Sequence, residues 1–368
     1  MNPTNPLRVT WSVSRGYARP MVLDDILGHG RVRDGLQTAT TTNTVHHAML
    51  FSGPDGVGKT TVAKAFAAMA ACPTPTAAGG ACGGCRSCDR ILQHVPGEET
   101  RHPDVLWLTP QGSAVIKIGQ VRDLLGIIPY PPLEARVRTV IIEPADALSV
   151  EAGNALLKTL EEPPSSTRFI LISSRPDALL ATIRSRCQSI QFGRLSDEHV
   201  EQGLRDAGIA PEQARRGAAL ADGSLGVALE RIDDPVLAIG DEILARCVAT
   251  RPGDATAALK MAAELADPKE CVPQVLEVLL RFYRDALIMS VGASDRVGLT
   301  HPHLADSLIK TVVDRLGTEA ILYRLDLITD AQRAMTSRNI PGLLSLERLL
   351  VAILAPPGRE GATPALDR

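Results

Sequence analysis

The stretch Gly53-Pro54-Asp55-Gly56-Val57-Gly58-Lys59-Thr60 has the spacing G-x-x-x-x-G-K-[ST], and the rest of the chain is read outward from it. It follows an apolar run, Ala48-Met49-Leu50-Phe51, and opens a helix-like run from Thr61 to Ala71. A loop between a buried strand and a helix turns free backbone N–H groups on an anion, and its glycines let the backbone come close. Lys59 is suited to the outer phosphates of a nucleotide, and the Thr60 hydroxyl to its Mg²⁺. Gly53, Pro54, Gly56, Val57, Gly58, Lys59, Thr60 and Thr61 are therefore the candidate residues for ATP or ADP. A glycine-rich loop can match by chance; the flanking strand and helix argue against it.

Outward from that loop, short apolar runs alternate with helical patterns from Asp24 to about residue 192. Candidate strands are Ala48–Ser52, Val105–Leu108, Thr139–Ile142, Phe169–Ser173 and Ile190–Phe192, each read as apolar on both faces. That pattern predicts a doubly wound α/β domain, a parallel sheet with helices on both faces. After Gly193 the strand signal stops. Ser196-Asp197 caps one helix that ends at Gly208, and Pro211 starts another. Beyond about 236 the pattern is helical throughout. Leu276, Leu279, Leu280, Tyr283 and Leu287 share one face after an Asp267-Pro268 start signal, and Ile321, Leu325, Ile328 and Met335 share another. Pro356-Pro357 is expected to close the last helix, and residues 1 to about 22, with Pro3, Pro6 and Pro20, read as a loosely ordered leader.

Bulk composition narrows the classes. A formal net charge of -3 gives no global basic field, and 3% aromatics leave few platforms for stacking single-stranded bases. No apolar run approaches the roughly 18 residues of a membrane span, and Arg8, Arg15 and Arg19 lie in an N-terminus without a hydrophobic core. A cytoplasmic protein is expected, in which the seven cysteines read as metal ligands or buried thiols. Four of them, Cys72, Cys82, Cys85 and Cys88, have the spacing Cys-x9-Cys-x2-Cys-x2-Cys, with Gly79, Gly80, Gly83 and Gly84 between. Four thiolates without an open position predict a structural Zn²⁺ site, and no Asp, Glu or His lies between Cys72 and Cys88 to serve as a base. The alternative is a group of free thiols or a redox pair. Cys247 and Cys271 read as core thiols.

A working ATPase of this design needs a second strand that ends in a metal-holding acid followed by a water-activating Glu. Here Thr139-Val140-Ile141-Ile142 runs into Glu143-Pro144-Ala145-Asp146. Glu143 is one methylene longer than the usual Asp yet within reach of the metal shell. Pro144 can neither accept a proton nor orient water, a loss that typically costs 10²–10⁴-fold. The site is expected to bind nucleotide and hardly to turn it over.

Three further segments carry a resemblance. They are His47-Ala48-Met49-Leu50-Phe51-Ser52-Gly53-Pro54; Asn154-Ala155-Leu156-Leu157-Lys158-Thr159-Leu160-Glu161-Glu162-Pro163-Pro164; and Ser185-Arg186-Cys187. Together with the four-cysteine insertion, the chain from about 24 to 355 resembles the bacterial DNA polymerase III clamp-loader subunits of the AAA+ class. The resemblance implies an AAA+ P-loop domain over 23–192 with a zinc-knuckle insertion at about 72–88. A small helical lid over 193–240, an all-α oligomerisation collar over 241–356 and a tail over 357–368 would follow. It also implies a hetero-pentamer with motor subunits and a delta subunit, acting on a sliding clamp and primed DNA near the nucleoid.

That family has a motor branch that hydrolyses ATP and a stator branch commonly defective in hydrolysis. Pro144 favours the stator, as does Gly223-Ser224-Leu225-Gly226, which resembles the family's second sensor with Gly226 in place of its arginine. The chain also ends at 368 without the long tail that often extends motor subunits. The intact phosphate loop, lost in many stators, points the other way. For a stator the resemblance implies no independent catalysis, only a share in the polymerase III holoenzyme and its clamp-loader ATPase. On residues alone Arg184 and Arg186 read as solvated charges; the resemblance makes Arg186 an arginine finger acting in trans on a neighbour's ATP. Lys158 would lie on a helix that faces DNA. Ser173 and Ser174 occupy the first-sensor place, or are ordinary strand-end caps. An active motor subunit and a small-molecule P-loop kinase remain the competing readings; the helical regions and the zinc knuckle speak against the kinase.

Overall fold

The computed structural model describes residues 21–77, 79–99, 101–232, 239–266, 271–294, 297–337 and 340–355. The leader up to residue 20, Asp267-Pro268 and Pro356-Pro357 lie outside the described residues. The chain divides into two compact units, one up to Leu229 and the other from Glu230.

In the first unit α1 (Gly30–Thr41) precedes β1 (Ala48–Ser52) and α2 (Lys59–Ala71), and α3 (Arg86–Leu92) leads to β2 (Val105–Leu108). Then come α4 (Ile118–Ile127), β3 (Arg138–Ile142), α5 (Val150–Glu161), β4 (Thr167–Ser173), α6 (Ala181–Arg184) and β5 (Gln188–Gln191). The five strands pair in parallel in the order β2-β3-β4-β1-β5. Alternation assigns their side chains to two cores. Met49, Phe51, Ile141 and Ile170 face α2, packing on Val62, Ala63 and Phe66. Ala48, Leu50, Val140, Phe169 and Leu171 face the other way, onto Val121, Leu124, Leu156 and Leu160 of α4 and α5. Central strands buried on both sides need apolar residues at every position, which is why they read as unbroken runs.

The edge strand differs from the sequence expectation. It is Gln188–Gln191, not Ile190–Phe192, and three of its four residues are exposed. An edge strand paired only with β1 is mostly exposed, with Ile190 alone of its four residues packing on the α2-side core, so polar residues suit its other positions. Phe192 lies just past the strand, buried against Phe51 with ring centroids 5.1 Å apart. The chain continues through α7 (Asp197–Asp206), capped by Ser196 as expected, α8 (Pro211–Leu220) and α9 (Leu225–Arg231), whose last two residues already belong to the second unit.

The second unit is helical: α10 (Gly240–Ala249), α11 (Ala255–Leu265), α12 (Val272–Ser290), α13 (Lys310–Ser337), broken at Gly317, and α14 (Gly342–Ile353). Leu276, Leu279, Phe282, Ile321, Ile328, Leu346 and Leu350 form its core. Cys247 is buried there beside Met261, and Cys271 packs on its edge. Among the described residues no helix is long and apolar enough to cross a membrane.

Candidate functional site

Every carbonyl of the loop from Gly53 to Val57 is taken up by a donor of this chain. Lys59 Nζ, in the first turn of α2, donates to Gly53 O at 2.7 Å and Pro54 O at 2.6 Å. Ser224 Oγ donates to Asp55 O at 2.8 Å and the Gly226 N–H to Gly56 O at 2.9 Å. His29 Nε2 lies 2.8 Å from Val57 O and must be the donor. Burial holds that imidazole below its ordinary pKa, although the bond to Val57 O pulls it upward. With the carbonyls satisfied, the N–H groups of Asp55, Gly56, Val57 and Gly58 have no acceptor among the described residues. Four such groups at the N-terminus of a thirteen-residue helix could receive an anion.

The loop tip is unusually close to α9. A Cβ on Gly226 would lie 2.8 Å from Gly56 Cα, and a Cβ on Gly56, whose φ is +69°, 2.3 Å from Ser224 Oγ. A Cβ at 226 does not fit with the loop in this position.

Beneath the loop, Thr60 Oγ1 donates to Glu143 Oε1. Glu143 is pushed above the ordinary carboxyl range by burial, against the pull of Thr60, Lys64 and Lys59, and its Oε2 is buried without a partner. An orphaned carboxylate oxygen beside a hydroxyl and a phosphate loop fits the oxygen ligand set of Mg²⁺. Lys59 is buried, and desolvation holds its pKa down despite Asp55, Glu143 and Asp146. Thr61 follows in the same turn of α2. Ser173, at the end of β4, commits its single O–H to Asp146 Oδ1 at 2.7 Å, while Arg175 holds the other Asp146 oxygen at 2.9 Å. Pro144 begins the turn after β3 and brings no acceptor to the loop.

The four cysteines converge. Their sulfurs all lie within 4.8 Å of one another, with Cys72–Cys85 and Cys82–Cys88 at 4.0 Å. A tetrahedron of thiolates at about 2.3 Å from a metal has sulfur–sulfur edges near this length. Backbone N–H groups of Cys82 and Cys88 reach the sulfurs of Cys72 and Cys85 at 3.5 and 3.4 Å, the geometry of a knuckle. The cluster can coordinate a metal ion.

Arg186 stands just past α6, in the turn to β5, rather than on the helix. Its Nε donates to Glu161 Oε1 at 2.7 Å, its Nη2 shares that oxygen, and its Nη1 reaches Thr182 O at 2.8 Å. Arg184 instead pairs with exposed Asp177 at 2.5 Å. Lys158 is exposed on the outer face of α5, four residues after exposed Asn154.

A family model described as "DNA polymerase III, delta subunit" matches residues 28–196. Over 332 residues the chain is 32% identical to the DNA polymerase III subunit delta-prime of Pseudomonas aeruginosa, covering 85% of this chain and 93% of that one. The chain belongs to the DNA polymerase III delta-prime family. The delta-prime subunit of Bacillus subtilis is 30% identical over 319 residues, again covering 85% of this chain and 93% of that protein. The tau subunit of Escherichia coli is 35% identical over 229 residues, 61% of this chain but only 34% of tau. Among solved structures, a gamma subunit-related protein from Thermotoga maritima aligns with a TM-score of 0.41 at 15% identity, over 87% of this chain and 98% of that one.

Motif reading missed His29, Ser224, Asp146, Arg175 and Glu161 as partners of this site, because each lies outside the spacing of the motif it serves. It also missed a buried pair under the loop after α4. Asp104, fully buried, accepts from the N–H groups of Leu133, Glu134 and Ala135 at 2.8, 2.6 and 2.8 Å. Arg138 lies 3.7 Å from it and donates to the carbonyls of Ile127, Tyr130 and Pro131. The loop so fixed presents Tyr130 (69%) and Leu133 (80%) to solvent. Burial alone would raise the Asp104 carboxyl, but the three N–H donors and Arg138 outweigh it and hold its pKa below the usual range. A depressed carboxyl stabilises the fold above the unfolded pKa, near 4, and that contribution is lost as pH falls through the folded value. Asp104→Asn is expected to cost about 3–5 kcal/mol, because it leaves Arg138 buried and uncompensated. Urea unfolding at pH 7 measures it, and a loss below about 1 kcal/mol would contradict the assignment.

Proposed function

We propose that this chain is the stator of a clamp loader: it binds ATP or ADP without useful hydrolysis and supplies Arg186 to the ATP site of a neighbouring motor subunit. The observation that carries the reading is an assembled phosphate loop whose water-activating position is Pro144. The N–H groups of Asp55 to Gly58 would hold the phosphates, Lys59 would exchange its loop carbonyls for them, and Thr60 with Glu143 would hold Mg²⁺, which neutralises phosphate charge when bound. Gly226 brings no cation to that site.

The remaining parts fit the same assembly. The helices over 193–240 act as a lid fastened to the loop through Ser224 and Gly226, and those over 241–356 act as the collar that joins motor subunits and a delta subunit in a hetero-pentamer. The cysteine cluster holds a structural Zn²⁺. The apolar loop at Tyr130 and Leu133 is a surface of the kind protein partners cover. Lys158 faces primed DNA as the assembly places a sliding clamp on it. The likeness to tau and the intact loop favour a second reading, an active motor ATPase.

Titration of the isolated chain with a fluorescent ADP analogue, beside a turnover assay, separates the two. Binding is expected, lost in Lys59→Ala, with turnover about 10²–10⁴-fold below that of a motor subunit. Robust turnover abolished by Lys59→Ala selects the motor reading instead.

A further inference from the structure

Arg186 is not a free surface side chain. Three of its five N–H donors are engaged within the chain: Nε and one Nη2 proton on a single oxygen of Glu161, and one Nη1 proton on Thr182 O. One N–H remains on each terminal nitrogen, apart from a long 3.4 Å approach of Nη1 to Ser185 Oγ. A guanidinium held along its side edge and left open at its end is aimed, and the open end is the fork that fits two phosphate oxygens. The partner comes from a distant element, since Glu161 closes α5, 25 residues earlier in the chain. Arg184 shows the contrast: its pair with Asp177 lies within one short stretch and is open to solvent on both sides. Exposed pairs add little to stability, so the Glu161–Arg186 pair matters for orientation more than for folding.

We infer that Glu161 is a positioning residue for Arg186: the carboxylate at the end of α5 fixes the arginine in the one direction from which its terminal N–H groups reach a phosphate on a neighbouring subunit. The inference rests on the reading of Arg186 as a trans-acting group. Both bonds use one glutamate oxygen, so an amide oxygen in the same place can make them as well. Glu161→Gln should therefore retain the orientation, and Glu161→Ala should lose it.

The test uses the complex assembled with its motor subunits, sliding clamp and primed DNA, and compares E161A, E161Q, R186A and the double variant E161A/R186A. For E161A, kcat of the stimulated ATPase is expected to fall about tenfold to a hundredfold with little change in KM for ATP, as for a misaimed group that acts in the transition state. E161Q should stay within about threefold of wild type, and the double variant should match R186A alone. If R186A is strongly impaired while E161A keeps the wild-type kcat, or if the two losses multiply, Glu161 does not position Arg186. If R186A itself has no effect, the trans-acting reading falls and takes this inference with it. Unchanged melting of E161A, read alongside, separates misaiming from unfolding.

Discussion

If Arg186 acts in trans as proposed, Arg186→Ala is expected to slow the ATPase of the assembled complex by about 10³-fold, with clamp loading slowed in step and the isolated chain unaltered. The size follows from chemistry that no other group of this chain can replace. An arginine stays charged, forks onto phosphate oxygens and needs no proton transfer, so it stabilises the charge that develops on the transferring phosphoryl group. Folding and zinc content should be unchanged, because the side chain is partly exposed and, among the described residues, bonds only to Glu161, Thr182 and Ser185. Arg186→Lys should rescue little, since an ammonium cannot hold Glu161 and a phosphate in fixed directions together. Arg184→Ala is the control for plain surface charge. Wild-type loading by both alanine variants at saturating ATP would reduce Arg186 to a surface residue.

The structure shows which parts of this site spacing can reveal. The phosphate loop and the cysteine knuckle are local: their residues lie within 8 and 17 consecutive positions, and the backbone brings them together wherever the flanking elements form. Four of the five strands were legible because burial on both faces leaves an unbroken apolar run. The fifth was misplaced for the same reason. Its pairing with β1 is made by backbone groups of Gln188 to Gln191, while the apolar signal belonged to Phe192, which packs beyond the strand.

Contacts between distant segments left no such trace. Gly226 reads as a lost arginine until the 2.8 Å approach to Gly56 shows that nothing larger than glycine fits. Glu161 and Arg186 stood in two separately recognised segments, yet no periodicity links positions 25 residues apart. Asp104 and Arg138 belong to no motif, and only the fold reveals them as the supports of an exposed apolar loop. Motif spacing thus points to local groups of residues, whereas the groups that support them come from topology.

Protein purified without chelator is expected to contain one zinc per chain, and Cys85→Ser to lose it together with about 10 °C of melting temperature. The sulfurs are already grouped within 4.8 Å, so the metal has little reorganisation to impose. Two of the thiols, Cys82 and Cys88, are pushed in opposite directions. Hydrogen bonds from Thr74, Gly84 and Cys85 lower Cys82 to about 6, while burial drives Cys88 well above the ordinary thiol range. A divalent ion allows all four to be thiolates, which neither group can achieve by exchanging protons with its neighbours. The cluster is also part of the fold, because Cys72, Ala81, Cys88 and Ile91 share a core with Phe66 of α2. Losing the metal therefore loosens the packing of α3 on α2, and stability falls although no catalytic group is touched. Cys271→Ser, in the second unit, should leave zinc content unchanged. Zinc near zero in a fully stable protein would mean that the four thiols hold this corner by packing alone.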